Sequence, residues 1–261
     1  MLFSTYKFKN KTLISRKKKN AGRNNRGRIT VAHQGGGHSQ LYRKINFKEN
    51  LNSGTVLNIE YDPNRSAYIA KICFLKNKRK KYFYILSPQN LKILDKIENS
   101  TLELEKSKTK ESLKQVGSFY SLNEFKIGDF IYNIETSPNK GGQLVRSAGT
   151  FAQILQKDNQ YVTITLPSGE HRNIPLNCKA CFGSVSNDNH QNVLIKKAGR
   201  SRWLNKRPTV RGVAMNPIDH PHGGNTSGGI HPKTPWARLT KGKPTRSLKK
   251  KNKFIIKSYK K

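Results

Sequence analysis

Acidic residues are almost absent from both ends of this 261-residue chain. Residues 1–48 contain thirteen Lys and Arg and no Asp or Glu, while residues 191–261 contain nineteen and one acid. The central residues 49–190 are close to balance, with nineteen bases and fourteen acids. Arms that carry charge of one sign repel themselves, so they need a partner of dense negative charge. Nucleic acid is the first candidate partner, and an anionic membrane surface is the second.

Long apolar runs and regularly spaced metal ligands are also missing. No run of about 18 apolar residues exists, so we expect no membrane-spanning helix. The three cysteines, without a signal-peptide pattern, favour a reducing compartment. Cys178 and Cys181 form a CxxC pair, but a zinc site needs two further ligands at regular spacing, and none follows. We therefore expect a packed thiol pair, with no metal site and no cofactor.

The sequence of the middle of the chain predicts short strands separated by turns. The first group is RITVAH, LYRKINF, GTVLNIEY, AYIAKICFL and KYFYIL; the second is GDFIYNI, GTFAQIL, YVTITL and EHRNIP. These segments are rich in β-branched and aromatic residues, and turns such as 62–65 and 166–170 divide them. No segment has an apolar stripe of helical period. We predict an all-β fold with two small antiparallel barrels, at 28–100 and 101–187, the stretch 95–115 being an exposed connection between domains or a long hairpin.

Basic extensions are predicted on either side, at 1–27 and 188–261. The first has the basic, acid-free composition of a mitochondrial transit peptide, but its charge continues without a break into GRNNRGR, which favours an RNA-binding arm. In the second, Lys196 to Lys243 places glycine and proline at irregular points, and its one acid is Asp219. A disordered tail is the alternative, but we expect a fixed shape adopted inside a polyanion.

Two glycine-rich segments are candidates for contact with a phosphate backbone. The first joins the GRNNRGR turn to a triple-glycine loop, whose backbone N–H groups would face phosphate oxygens. Its candidate residues are Arg23, Asn24, Asn25, Arg26, Arg28, His33, Gly35, Gly36, Gly37 and His38. The second lies in the second barrel and contains Lys140, Gly141, Gly142, Arg146 and Ser147. It is not a nucleotide-binding P-loop, because the Lys-Ser/Thr ending is absent.

Histidines of the tail raise the alternative of an enzyme or a metal site. His220 and His222 flank a proline, and extended backbone would point their rings to opposite sides, which is poor geometry for one metal. No nucleophile stands at a defined spacing from His220. We therefore expect no catalysis, and interpret these histidines as RNA contacts. Asp219 would bond to local backbone N–H groups or touch a magnesium ion shared with phosphates.

Several long motifs carry a resemblance to a known family. They are GRNNRGRITVAHQGGGHSQLYR, IEYDPNRSAYIA, GGQLVRSAGTFAQI, RPTVRGVAMNPIDHPHGG and HPKTPW. The chain from about Gly22 to Lys257 resembles the universal large-subunit ribosomal proteins of the L-two family. The resemblance implies an OB-fold RNA-binding domain, an SH3-like barrel, and extensions threaded into rRNA. It also implies support of subunit association and of the peptidyl-transferase region, with His220 near that centre and no catalytic role for the protein.

Further RNA-contact residues are assigned to the extensions and one turn on these patterns. They are Arg65, Arg200, Arg202, Trp203, Arg207, Arg211, Asn216, Asp219, His220, His222, Gly223, Gly224, His231 and Trp236. The implied partners are large-subunit rRNA, the small subunit across an inter-subunit bridge, and other large-subunit proteins. No membrane and no second copy of the chain are expected as partners.

The chain departs from the family pattern in two places. Its N-terminal arm is shorter than in bacterial members, and residues 225–230 replace a GGGEGR-like continuation, losing an acid and an arginine. The excess of Lys, at 36, over Arg, at 15, together with 25 Asn, indicates an AT-rich gene. These features favour a mitochondrially encoded protein of the matrix ribosome, with a plastid or a bacterial cytoplasm as alternatives.

Overall fold

The computed structural model describes residues 11–48, 53–76, 79–98, 114–224, 230–242 and 253–258. Strands dominate these residues. They are β1 (Ile14–Arg16), β2 (Leu41–Arg43), β3 (Ser53–Glu60), β4 (Ile69–Lys76), β5 (Arg79–Leu86), β6 (Lys96–Glu98), β7 (Phe119–Ser121), β8 (Phe130–Tyr132), β9 (Ile134–Glu135), β10 (Gly142–Leu144), β11 (Ala152–Lys157), β12 (Tyr161–Thr165), β13 (His171–Pro175), β14 (Lys179–Phe182) and β15 (Ile255–Lys257). One short α-helix, α1, spans Ala198–Trp203, and the predicted all-β fold is confirmed.

The chain divides into two compact units. The first, here called the body, comprises residues 1–17, 40–194 and 253–261. The second, here called the basic module, comprises residues 18–39 and 195–252. The basic module therefore combines segments from both ends of the sequence. The predicted connection at 95–115 lies largely outside the described residues.

The first barrel of the body is built on a four-stranded antiparallel sheet in the order β5-β4-β3-β6. A parallel bridge between Ile45 and Tyr84 adds the chain after β2 to this sheet. Alternate residues of β4 and of β5 enter its core, as the pleat of a strand requires, although the intervening Ile69 and Tyr84 are buried as well. Its core consists of Val56, Ala70, Ile72, Phe83, Ile85 and Ile97. The turn at 62–65 is confirmed by the hydrogen bond from the Arg65 N–H to the Asp62 carbonyl, 3.3 Å.

The second barrel is a seven-stranded antiparallel sheet in the order β15-β13-β12-β11-β8-β14-β7. The predicted turn between β12 and β13 is present, with the Gly169 N–H donating to the Leu166 carbonyl at 2.8 Å. The core of this barrel is aliphatic and includes Leu122, Ile131, Ile154, Val162 and Ile164. The arrangement agrees with an OB-fold followed by an SH3-like barrel.

Buried thiols lie within this second barrel and its junction with the first. Cys178 packs in the barrel core, while Cys181 joins Ala67, Leu86 and Tyr132 in a cluster that links the two sheets. Burial raises the pKa of Cys178 to about 12, and the charge of Glu135 adds to that effect. Burial also raises the pKa of Cys181 to about 12, although hydrogen bonds from Asn133 and Tyr132 act in the opposite direction. Both thiols are free and buried, as expected, but they belong to different clusters.

Two strand predictions at the chain ends were wrong. RITVAH is not a strand: Ile29 forms one isolated bridge to Arg23, and the N–H groups of Thr30 and Val31 both donate to the Gly22 carbonyl. The segment therefore closes a local loop, which outweighs its β-branched composition. Conversely, no strand was predicted beyond about Ser186, but β15 pairs with β13 at the edge of the second barrel.

An apolar core is missing from the described part of the basic module. Only Gly35 and His220 are buried there, and the large apolar side chains point outward. Ile218 is 92% exposed and Trp236 is 79% exposed. Backbone and side-chain hydrogen bonds, not buried apolar area, hold this unit together.

Candidate nucleic-acid interface

The GRNNRGR turn is organised by the side chain of Asn24. Its Oδ1 atom accepts the backbone N–H groups of Arg26 and Arg28, each at 3.0 Å, and the backbone N–H of Asn24 donates to the Arg28 carbonyl at 2.9 Å. Asparagine side chains commonly close turns in this way. Arg23, Asn25, Arg26 and Arg28 are all exposed. The turn therefore displays three guanidinium groups on a loop that Asn24 keeps in shape.

The triple-glycine loop is held by a lysine of the same unit. Its glycines have positive φ, at 141° for Gly35, 70° for Gly36 and 73° for Gly37, a region that other residues seldom adopt. This backbone turns consecutive carbonyls toward one point. The Nζ atom of Lys19 donates to the carbonyls of Gly36, Gly37 and His38 at 2.9, 2.7 and 2.6 Å. All three ammonium hydrogens are thereby used within the chain.

The same loop pairs with the tail segment that follows α1. The Gly35 N–H donates to the Asn205 carbonyl at 3.2 Å, and the His38 N–H donates to the Trp203 carbonyl at 3.0 Å. A Cβ atom on Gly37 would lie 2.8 Å from both the Asn205 nitrogen and the Trp203 carbonyl oxygen. Two of the N–H groups predicted to face phosphate are therefore bonded to protein. The loop serves first to join the N-terminal segment to the tail.

Helix α1 and the residues after it carry a row of cations beside an aromatic ring. Trp203 is 58% exposed, and the Lys197 Nζ lies 5.0 Å from its ring centroid. An exposed indole provides a surface on which an unpaired base stacks. Arg202, Arg207 and Arg211 are exposed, and Arg200 is half-buried. Stacking and phosphate pairing are thus available within one short segment.

His220 and His222 lie in a tight turn, and the predicted separation of their rings was wrong. The ring centroids are 4.7 Å apart at an interplanar angle of 57°. The backbone is not extended here, because the N–H groups of Asp219 and His220 both donate to the Asn216 carbonyl. His220 is 8% exposed, and its Nδ1 atom accepts the His222 N–H at 3.0 Å. Neutral His220 therefore carries its ring proton on Nε2.

Glycines let this turn close. The Gly223 N–H donates to the His220 carbonyl at 2.8 Å, and a Cβ atom on Gly223 would overlap the Asn216 carbonyl. Gly224 has φ of 68°, and a Cβ atom there would lie 2.5 Å from Cγ of Pro217. Asp219 and Trp236 are exposed on the surface of the unit. His231 is also exposed, and its carbonyl lies 3.3 Å from Nε2 of His222.

The glycine-rich loop of the second barrel is more buried than its sequence suggests. Gly141 and Gly142 are buried, and the Gly141 N–H donates to Oε1 of Glu135 at 2.8 Å. The Arg146 guanidinium lies 4.4 Å from the Phe47 ring centroid and donates to the Gly142 carbonyl at 3.0 Å. Lys140 and Ser147 are exposed. The glycines therefore shape the loop, and its polar side chains form the outer surface.

Arg65 is bound within the body. Its Nε atom lies 2.7 Å from Oδ2 of Asp62, whose side chain is fully buried. Asn64 donates to Oδ1 of the same carboxylate from its backbone and from its side chain, each at 3.0 Å. A buried carboxylate requires such compensation. The predicted RNA contact of Arg65 thus competes with an ion pair that the fold itself uses.

The sequence matches two family descriptions over most of its length. Residues 10–99 match "Ribosomal Proteins L2, RNA binding N-terminal domain", and residues 115–238 match "Ribosomal Proteins L2, C-terminal domain". The chain belongs to the uL2 family of large ribosomal subunit proteins. The resemblance drawn from the motifs is thereby confirmed.

Named relatives cover nearly the whole chain. "Large ribosomal subunit protein uL2" of Orientia tsutsugamushi is 52% identical over 92% of this chain and 85% of its own length. The protein of the same name from Rickettsia canadensis is 49% identical over 96% of this chain and 89% of its own. That of Alcanivorax borkumensis is 47% identical over 95% and 88%. These relatives are bacterial.

The residues that join the two ends of the uL2-family chain were not predicted. Lys19 is one of three consecutive lysines, so the sequence does not distinguish it from the other two. Asn205 contributes only its backbone carbonyl, which any residue could supply. In the sequence, only the run of three glycines, which tolerates positive φ, indicated that another segment approaches this loop closely. Within the described residues, no group of three or more His, Cys, Asp or Glu side chains could hold a metal ion. The described helices include none with the length and apolar character needed to cross a membrane.

Proposed function

We propose that this chain is a structural protein of the large ribosomal subunit that binds large-subunit rRNA chiefly through its basic module. One observation carries this proposal. Residues 18–39 and 195–252 contain twenty Lys and Arg against one acid, and their described part buries no large apolar side chain. Such a unit gains little from the hydrophobic effect and repels itself, so a polyanion would stabilise its shape.

Different residues would serve different parts of the RNA. Arginines of the GRNNRGR turn and of residues 200–211 would pair with phosphates, because the guanidinium group binds phosphate through two parallel hydrogen bonds. Trp203 and Trp236 would stack on unpaired bases, since both rings are largely exposed. Lys140, Arg146 and Ser147 would extend the contact onto the body. Asp219, which is exposed, would reach RNA through a shared magnesium ion.

The domain arrangement proposed here follows the family. Residues 28–100 would act as the OB-type RNA-binding domain and 101–187 as the SH3-like domain, with extensions 1–27 and 188–261 entering the RNA. Support of the peptidyl-transferase region, a bridge to the small subunit and contacts with other large-subunit proteins are part of the same proposal. The relatives' names, which denote a ribosomal protein, argue against an enzyme.

Location in a mitochondrial ribosome is proposed from the Lys- and Asn-rich composition, which indicates an AT-rich gene. The bacterial relatives fit the alternative of a bacterial cytoplasm equally well. Fractionation of the source cells separates these proposals. A protein that sediments with ribosomes of a purified organelle supports the first, and one that sediments with cytoplasmic ribosomes supports the second.

Salt-dependent binding tests the role of the basic module. The test variant changes Arg200, Arg202, Arg207 and Arg211 to Gln, and the control changes Lys126, Lys157, Arg172 and Lys179 of the second barrel to Gln, which removes equal charge. Each lost phosphate contact lowers the slope of log affinity against log salt by roughly 0.7–0.9. We expect the slope to fall by about 3 in the test variant and by less in the control. Equal slopes for the two variants and the wild type would refute the proposed interface.

Vesicle binding tests the rival membrane role. The full chain is offered large-subunit rRNA and anionic lipid vesicles at the same negative charge concentration. Preference for rRNA at 150 mM salt, which is about physiological, supports the ribosomal role, and preference for vesicles contradicts it.

A further inference from the structure

A cavity of about 560 Å³ lies within the body, where the loop after β5 faces the turn after β14. Its lining includes residues 87–93 and 186–189, together with Asn58, Ile59 and Tyr68. Cavities of roughly 300–1,000 Å³ are typical of small-ligand sites. The volume therefore suits one compact chemical group and not a helix or a duplex.

The walls of this cavity are fixed by hydrogen bonds between the two barrels. The Gln89 N–H donates to the Ser184 carbonyl at 2.9 Å, and the Ser186 N–H donates to the Ser87 carbonyl at 3.1 Å. The Tyr68 N–H donates to Oγ of Ser186 at 3.2 Å. Backbone pairing of this kind makes the cavity part of the fold. The cavity is therefore formed before a ligand binds, and binding would not have to order its walls.

Amide side chains dominate the polar lining. Oδ1 of Asn58 accepts the Ile59 N–H at 3.0 Å. Gln89 and Asn90 make no side-chain hydrogen bond with the described residues. Lys92 and Asp188, both exposed, contribute one charge of each sign. In a chain of net charge +36, this cavity is close to neutral.

We propose that this cavity binds one unstacked nucleotide of an unpaired rRNA segment, an inference that rests on the proposed function. Amides carry donors and acceptors together, and so match the edge of a nucleobase. Sequence-specific RNA recognition acts mostly on such splayed-out bases. Lys92 would contact the phosphate of that nucleotide, while Asp188 would repel a longer run of phosphates. The ligand is therefore a base with a single phosphate, not a stretch of backbone.

The lining argues against a peptide as the occupant. A peptide that adds to a sheet needs an exposed strand edge. Only two lining residues, Asn58 and Ile59, belong to a strand, β3, and both pair with β4, while β6 pairs with residues 53–55 of the same strand. The rest of the lining is loop, so two residues are the longest strand segment that a peptide could pair with there.

Chemical probing of rRNA in assembled large subunits tests this inference. Gln89→Trp fills the cavity, and Gln160→Trp, on an exposed turn of the second barrel, is the matched control. We expect backbone-flexibility reagents to modify one to three unpaired nucleotides at least fivefold more in Gln89→Trp subunits, with other protections retained. The double variant Asn58→Ala, Asn90→Ala, which removes amides without filling the space, should expose the same nucleotides.

Three results are distinguishable. Unchanged reactivity in both cavity variants overturns the proposal. A photoreactive side chain at position 89 that crosslinks to a ribosomal protein and not to rRNA also overturns it, in favour of a protein occupant. If the wild-type chain itself fails to enter large subunits or to protect rRNA, the proposed function fails before the cavity is tested.

Discussion

The ammonium group of Lys19 lies 2.7 Å from the carbonyl oxygen of Gly37 and donates a hydrogen bond to it. Two further carbonyls, of Gly36 and His38, accept from the same nitrogen. Because the loop they belong to also bonds to Asn205 and Trp203, the lysine stabilises the junction between the N-terminal segment and the tail. A residue that composition would assign to phosphate pairing thus has a structural task.

Lys19→Met is expected to weaken rRNA binding through loss of this junction. A hydrogen bond to a charged group contributes about 1.5–3 kcal/mol, and partial exposure reduces that value. We expect affinity to fall by about tenfold, which corresponds to about 1.4 kcal/mol. The control is Lys18→Met, which removes the same charge from an exposed neighbour. Filter binding at fixed salt measures both variants, and equal losses would mean that Lys19 acts only through its charge.

The strands of the body were predictable from the sequence because β-branched and aromatic residues are frequent in them. Segments such as 53–60 and 69–76 contain β-branched side chains and contribute Val56, Ala70 and Ile72 to one core, so local preference and burial agree. RITVAH has the same composition but no partner strand, since Thr30 and Val31 bond to Gly22. Strand β15 was missed because three residues within a lysine run carry little pattern. Its partner β13 lies more than eighty residues away.

The candidate interface was predictable in its residue types and not in its contacts. Charge and glycine content indicated that both ends bind a polyanion. They could not show that Gly35 and Lys19 serve the protein itself, because Gly35 bonds to Asn205 in the distant tail and the loop that Lys19 contacts takes its shape from that pairing. The histidine turn was missed for a related reason. A Pro between two histidines favours extended backbone, but hydrogen bonds to the Asn216 carbonyl close the turn instead.

Gly223→Val and Gly224→Val are expected to block incorporation of the chain into large subunits. A side chain at Gly223 would collide with the Asn216 carbonyl, and one at Gly224 would meet Pro217 at a positive φ that a β-branched residue avoids. We expect at least a tenfold drop in the fraction that cosediments with large subunits. Gly199→Ala is the control, because Gly199 lies in α1 and a Cβ atom added there would have no other atom within 4 Å. Normal incorporation of Gly223→Val would show that this turn is not needed for assembly.

Thiol labelling is expected to distinguish the three cysteines of the native protein. Cys73 is partly exposed and should react at pH 8, whereas Cys178 and Cys181 are buried with pKa values raised to about 12. Only the thiolate reacts, so the buried pair should stay unlabelled until the body unfolds. Mass spectrometry after alkylation measures this. Rapid labelling of either buried thiol would contradict the packing described for the second barrel.

The same thiols make stability depend on pH in the alkaline range. Their native pKa values lie above the unfolded value near 9, so above pH 9 the unfolded chain loses protons that the native body retains. The free energy of unfolding should therefore be independent of these groups below pH 9 and should fall between pH 9 and 12. Urea titrations should show a smaller fall between pH 9 and 10 for the double variant Cys178→Ala, Cys181→Ala. An identical pH profile for the wild type and the double variant would contradict the assignment of this pH dependence to Cys178 and Cys181.

Substitutions of His220 can distinguish a structural role of this side chain from a role in peptide-bond formation. The family resemblance implies a position near the peptidyl-transferase region, from which a greater loss of activity than of assembly is expected. The structure adds that the ring is buried, lies against Gly212 and accepts the His222 N–H through Nδ1. Removing a buried acceptor costs about 1–3 kcal/mol, so His220→Ala should also lower incorporation into large subunits, by about fivefold or more.

His220→Asn decides between the two roles. Its amide oxygen occupies nearly the position of Nδ1 and can accept the His222 N–H, while the ring and its Nε2 proton are lost. If the ring only shapes the turn, His220→Asn should restore most of the incorporation and most of the peptide-bond formation per assembled subunit. If His220→Asn subunits assemble normally but form peptide bonds at least tenfold more slowly, the imidazole acts on RNA or substrate, and an exclusively structural role is excluded.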